Sequence, residues 1–222
     1  MRKINFANNE FYHIYNRGTD KRAIFLDEHD IRRLFQSIDE FNAVEPIGSI
    51  YENSFCKRRQ KQLGNRVSKL KKKRLVNIIC YCINPNHYHF ILEQIADRGI
   101  EKFMHKFGLG YTKYFNKKYD RSGGLFQGAY KAIHIDSNEY LLHASVYVNL
   151  NDRVHKLGNS VSKSSLEEYA EGKVGICEKD IILGQFKNFA EYKEFAEDAL
   201  KLILENKQKK EMDKEASDLF LE

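Results

Sequence analysis

Between Val76 and Glu93 the chain carries two strand-like runs almost back to back: Val76-Asn77-Ile78-Ile79-Cys80-Tyr81-Cys82-Ile83 and His87-Tyr88-His89-Phe90-Ile91-Leu92-Glu93, parted only by Asn84-Pro85-Asn86. The first run is β-branched and nearly continuous in apolar residues, which suits a central strand buried on both faces. Three breaker residues leave room only for a tight connection, so the two runs are expected to pair as an antiparallel hairpin.

The flanking segments are read outward from that hairpin. Phe11-Tyr12-His13-Ile14-Tyr15-Asn16 is rich in β-formers and closes on Arg17-Gly18, predicting a first strand. Apolar Ile31, Leu34, Phe35, Ile38 and Phe41 recur at helical spacing from Asp27 to about Phe41. A second helix is predicted from about Gly99 to Tyr119, bent near Gly108 and Gly110. Leu125 to Ile135 is predicted as a fourth strand. Asp136-Ser137-Asn138-Glu139 then has a helix-start pattern, with a third helix to about Asn151. Strand, helix, strand, strand, helix, strand, helix is the order of an α+β, ferredoxin-like split βαβ antiparallel sheet, with helices on one face and one further helix appended.

The predicted domain spans 1–155, with a basic insertion at 57–74. A C-terminal helical extension and charged tail occupy 156–222, with a helix over Phe189 to Leu204 and a fraying end. A length of 222 residues suits one substantial core plus extensions.

The net charge of +6 and pI near 9.0 favour a polyanionic partner. Ten Lys or Arg and no acidic residue lie between Lys57 and Arg74, so +6 less +10 leaves −4 for the rest. Such a run reads either as a solvated loop or as an arm tracking phosphates through Lys57, Arg58, Arg59, Arg66, Lys69, Lys71, Lys72, Lys73 and Arg74. Arg17 and Lys131 are further candidate phosphate contacts.

No stretch approaches the roughly 18 apolar residues of a spanning helix, and Met1-Arg2-Lys3-Ile4-Asn5-Phe6 lacks a signal-peptide apolar region. A cytoplasmic protein without membrane contact is expected. Cys56, Cys80, Cys82 and Cys177 form no Cys-x-x-Cys pair and are read as reduced packing residues rather than a zinc site.

On a strand side chains alternate, so His87 and His89 project to one face and Tyr88 to the other. Two imidazoles on one face can hold a divalent cation, and equally suit two ordinary strand histidines. On the third helix, Tyr147 and Asn151 stand i, i+4 and share a face. A phenol of pKa near ~10 is a poor nucleophile unless charge developing on phosphorus is stabilised. A cation on His87 and His89, with the Asn151 amide oxygen as third ligand, would supply that. Thirteen tyrosines are present, and spacing alone leaves Tyr111, Tyr114, Tyr119, Tyr130 and Tyr140 as rivals to Tyr147.

Four motifs occur in order: His13-Ile14-Tyr15-Asn16-Arg17-Gly18, Asn84-Pro85-Asn86-His87-Tyr88-His89-Phe90, Gly124-Leu125-Phe126-Gln127-Gly128 and Tyr147-Val148-Asn149-Leu150-Asn151. Over roughly 10 to 155 the chain thereby resembles the REP-associated tyrosine transposases, single-tyrosine members of the HUH endonuclease group. The resemblance implies metal-dependent cleavage and rejoining of single-stranded, hairpin-associated DNA through a 5′-phosphotyrosine. By that resemblance Tyr147 is the nucleophile, His87, His89 and Asn151 bind Mg²⁺ or Mn²⁺, and the protein is a monomer or homodimer.

Two positions depart from the pattern. Asn151-Asp152 stands where the family often has Asn-Pro, and Ala129 where an Arg commonly follows the glycine-rich motif. Two other readings stand beside the enzyme: a catalytically silent DNA- or RNA-binding regulator, and a phosphodiesterase with water as nucleophile.

Overall fold

A computed structural model of the chain describes residues 4–62, 72–157, 162–170 and 175–219, apart from the side chains of 57, 60–62 and 210–219. Its centre is the expected hairpin. β2 (Val76–Asn84) and β3 (His87–Gln94) pair antiparallel from Val76↔Gln94 to Asn84↔His87, so only Pro85 and Asn86 form the turn. The carbonyl of Pro85 accepts from Ile24 and Phe25 N–H, and that of Asn86 from Gly18 N–H, which pins the turn to the chain leaving the first strand.

β1 (Phe11–Arg17) lies antiparallel along β3, β4 (Lys131–Ile135) along β1, and a two-residue β5 (Lys163–Ser164) along β2. The order β4-β1-β3-β2-β5 contains the expected ferredoxin-like arrangement, an antiparallel α+β fold. β4 is shorter than predicted. Residues 125–130 form a loop instead, carrying Gly128 at φ +70°, a backbone setting that interrupts a strand.

The helices are α1 (Glu28–Phe41), α2 (Ile50–Gln62), α3 (Gly99–Lys118), α4 (Asn138–Asn149), α5 (Asn151–Val154), α6 (Leu166–Ala170), α7 (Asp180–Leu183) and α8 (Phe189–Leu219). α1 starts where the Asp27 carboxylate accepts from Asp30 N–H, and α4 where the Ser137 hydroxyl accepts from Tyr140 N–H. α3 runs through Gly108 and Gly110 as one helix, ending at Lys118. Gly110 serves close approach, because a Cβ there would stand 2.5 Å from Phe41 Cε2 on α1.

α2 corrects the expectation of a loop or arm over the whole basic stretch, since helix continues through Gln62. Lys, Arg and Gln are good helix formers, Ile50 is buried, and Ser49 Oγ accepts from Glu52 N–H in the first turn. A charge run shows no apolar period, so its helix is invisible to pattern reading.

Each sheet face has its own core. On one, Ile14, Tyr88 and Phe90 meet Leu34 and Ile38 of α1 and Phe103 and Phe107 of α3. On the other, Cys80, Cys82 and Ile91 meet Val146 and Val148 of α4 and Tyr192, Ala196 and Leu200 of α8. A bulge sets this division in β2. Ile78 pairs with Leu92 and Cys80 with Ile91, leaving Ile79 as the extra residue. The predicted C-terminal helix is α8, which continues past Leu204 to Leu219. Among the described residues no helix is long and apolar enough to cross a membrane.

Candidate active site

The face of the sheet that receives α4 carries the candidate residues. Pairing aligns Arg17 with His87 and Tyr15 with His89, and Tyr15 with Lys131 on the opposite side. Paired residues in antiparallel strands share a face, so register alone brings Arg17, Tyr15 and Lys131 beside the two histidines. α4 then lays Tyr147 over them, its ring edge-on to His89 at 5.6 Å and to His13 at 5.9 Å between centroids.

His87 and His89 do converge, with rings 5.2 Å apart and nearly perpendicular. Asn86 Oδ1 lies 2.6 Å from His87 Nδ1, and a hydrogen on Nδ1 leaves Nε2 with its lone pair. That lone pair faces Asn151 Oδ1 at 3.0 Å, a second acceptor. One amide group, Asn84 Nδ2, lies 2.9 Å from the first and 2.8 Å from the second. His89 Nδ1 contacts His13 Nε2 at 2.8 Å, which leaves its Nε2 as the free edge for a ligand.

Burial sets the electrostatics. It lowers His87, lowers His89 well below the ordinary histidine range with further help from His13, His87 and His155, and brings His13 to about 4. All three are therefore neutral near pH 7, the form in which imidazole binds a cation. Burial also raises the Tyr147 phenol.

Asn151 does not share a helix with Tyr147. α4 ends at Asn149, Leu150 breaks the helical path at φ −112° and ψ 21°, and Asn151 opens the short α5. Leu150 N–H still bonds to Val146 O, so the break is small and Asn151 stays beside His87. Asn151 Nδ2 is buried without a hydrogen-bond partner among the described residues.

A cavity of about 590 Å³ opens beside His87, His89 and Tyr147, bordered by Arg17, Lys21, Lys131 and His155, with no carboxylate in its described lining. Such a recess suits an anion. Arg17 donates through Nε to Gln127 Oε1, and Lys131 Nζ lies 6.0 Å from the Tyr15 ring centre.

Of the other basic candidates, Lys72 is paired with Glu40 at 3.3 Å and Arg74 with Glu178 at 3.4 Å. Arg58, Arg59 and Lys73 are exposed. α2 itself is tied to the α1 side of the sheet, through Ile50 in that core and Asn53 on Glu40. The side chain of Lys57, and Arg66, Lys69 and Lys71, lie outside the described residues.

His13, Tyr15, Lys21, Asn84 and His155 were not among the site residues read from the sequence. For the first two a signal existed, since His13, Tyr15 and Arg17 alternate on one strand face, but only the register with β3 reveals which face that is. His155 meets His87 at 5.3 Å solely because the chain turns after Val154.

Among the described residues no group of three or more His, Cys, Asp or Glu side chains stands at metal-holding distance. The two neutral imidazoles and the Asn151 amide oxygen nevertheless fit an ion that fills its remaining positions with water and phosphate oxygens.

Residues 49–151 match the family model described as "Transposase IS200 like", a span that includes His87, His89, Tyr147 and Asn151. A solved REP-associated tyrosine transposase bound to a REP hairpin is similar in fold, with a TM-score of 0.50 and 12% identity over 79% of this chain and 88% of that one. A candidate transposase from Deinococcus radiodurans R1 aligns with a TM-score of 0.34 and 13% identity, over 67% of this chain and 95% of that one. No curated protein matches the sequence.

Proposed function

Because residues 49–151 match the IS200-like transposase family model, we propose that this chain cleaves and rejoins single-stranded, hairpin-associated DNA, with Tyr147 as the nucleophile. One observation carries the reading: Tyr147 borders the same cavity as His87, His89, Arg17, Lys21 and Lys131. A phosphodiester held by the three cations lies beside a phenol, and near two neutral imidazoles.

The step balances as a phosphoryl exchange. Tyr147 Oη forms a bond to phosphorus as the bond from phosphorus to the 3′-oxygen breaks, leaving a 5′-phosphotyrosine. The proton lost by the phenol matches the one gained by the departing 3′-oxygen. One phosphodiester replaces another, so a free 3′-hydroxyl can reverse the reaction without an external energy source.

Arg17, Lys21 and Lys131 bind the phosphate and neutralise its charge. Burial disfavours the Tyr147 phenolate, and cationic charge beside it would favour that form. His87, His89 and Asn151 would hold Mg²⁺ or Mn²⁺, which supplies Lewis-acid polarisation of the phosphate oxygens when bound.

Incubating the protein with labelled hairpin-bearing single-stranded DNA and Mg²⁺ or Mn²⁺ tests this on a denaturing gel. A covalent protein-DNA adduct is expected from the wild type and none from Tyr147→Phe. An adduct that survives Tyr147→Phe overturns the nucleophile, cleavage without an adduct assigns attack to water, and binding alone assigns a regulator.

A further inference from the structure

Tyr147 also borders a second recess. About 380 Å³ in volume, it adjoins the first cavity through Tyr15, His89 and Tyr147, and is lined beyond them by Ile133, Tyr140, His143 and Ile203. The two differ in chemistry. Three Lys and Arg side chains border the first, whereas the described lining of the second has no Lys, Arg, Asp or Glu. Tyr140 and Ile133, 38% and 39% exposed, leave aromatic and apolar surface open to solvent at its rim.

We infer that this recess is a nucleobase subsite, taking the base next to the scissile phosphate and stacking it on Tyr140, with Ile203 as the facing wall. Size and polarity favour that occupant. The volume lies at the low end of the roughly 300–1,000 Å³ of ligand pockets, enough for one planar group rather than a duplex.

Aromatic side chains beside a cationic groove are the general means of holding single strands, because every base offers a π-face. Connectivity supplies the occupant. A base and its phosphate are joined through a single sugar, so a phosphate beside Tyr147 delivers a flanking base to the adjoining recess. The Ile203 wall comes from α8, outside the 49–151 segment, so the C-terminal helix would shape base preference.

The inference rests on the DNA-cleaving reading of Tyr147, and the experiment separates the two. Binding is measured by fluorescence anisotropy in a Tyr147→Phe background, with a labelled short oligothymidylate and an abasic phosphate backbone of equal length. Tyr140→Ala is expected to weaken oligothymidylate about tenfold and leave the abasic strand unchanged, while Tyr140→Phe stays near the parent.

Ile203→Ala is a second variant with the same expected pattern, and thermal melts confirm that each protein is folded. Equal loss on both strands, or loss on neither, overturns the subsite. If Tyr147 forms the covalent adduct and Tyr140→Ala is indifferent to the base, only the subsite fails. If no adduct forms but binding remains base-dependent through Tyr140, only the cleavage reading fails. If the protein binds neither strand, both fail.

Discussion

His13 Nε2 lies 2.8 Å from His89 Nδ1, joining β1 to β3 through two buried imidazoles. One ring must donate. For His89 to present the lone pair of Nε2 to a cation, its Nδ1 carries the hydrogen and His13 accepts it. Burial holds His13 near a pKa of about 4, so it is an uncharged acceptor at neutral pH.

His13 is thus a positioning residue for a proposed ligand. Outer partners of metal-bound histidines typically contribute about 10–100-fold in affinity. His13→Ala is expected to weaken Mn²⁺ binding in calorimetry by that order, and His13→Gln, which restores an acceptor, to recover part of it. An unchanged affinity in His13→Ala would remove this role.

Gly108 and Gly110 of α3 should respond oppositely to alanine. At Gly110 the new Cβ would stand 2.5 and 2.7 Å from Phe41 Cε2 and Cζ, whereas at Gly108 nothing lies within 4 Å. Gly110→Ala is expected to cost about 1–3 kcal/mol by overpacking. Gly108→Ala should gain about 0.5–1 kcal/mol of helix propensity. Urea unfolding of the two variants checks the signs, and a stable Gly110→Ala protein would show that Phe41 moves freely.

The buried thiols predict loss of stability in alkali. Burial pushes Cys82 from 9.0 up to about 12 and holds Cys80 well above its ordinary value. Between those limits the unfolded chain has released protons that the fold retains, so this contribution is complete below about pH 9 and falls as pH rises. The urea midpoint should decline above pH 9. In the folded protein, iodoacetamide should reach exposed Cys56 well before Cys80 or Cys82. Equal labelling rates would contradict the burial.

Cations at the cavity should matter to turnover, and those of α2 should not. Arg17→Ala and Lys131→Ala are expected to suppress the adduct and each to reduce the slope of log affinity against log salt by about 1. Arg58→Ala and Arg59→Ala, on the α1 side of the sheet, should leave the adduct yield at the wild-type level. A loss of adduct from the α2 variants alone would move the phosphate path to that side.

Local patterns in the sequence determined much of this protein. Alternation on β3 put His87 and His89 on one face, the breakers at Pro85 and Asn86 made the hairpin, and Ser137 marked the start of the helix that carries Tyr147. Tertiary structure decided which elements meet. It sends the Tyr111 hydroxyl to Ile24 O and those of Tyr114 and Tyr119 to Asp30, in the opposite layer, while Tyr147 faces the histidines.

It also supplied His13, Lys21 and His155, and moved Asn151 onto its own short helix. The reason is physical. Side-chain periodicity is set by each residue's immediate backbone and can be read from neighbours a few positions away. Strand register and the face on which a helix docks depend on contacts between residues far apart in the chain, so β1, β3 and α4 define the site only once they are packed together.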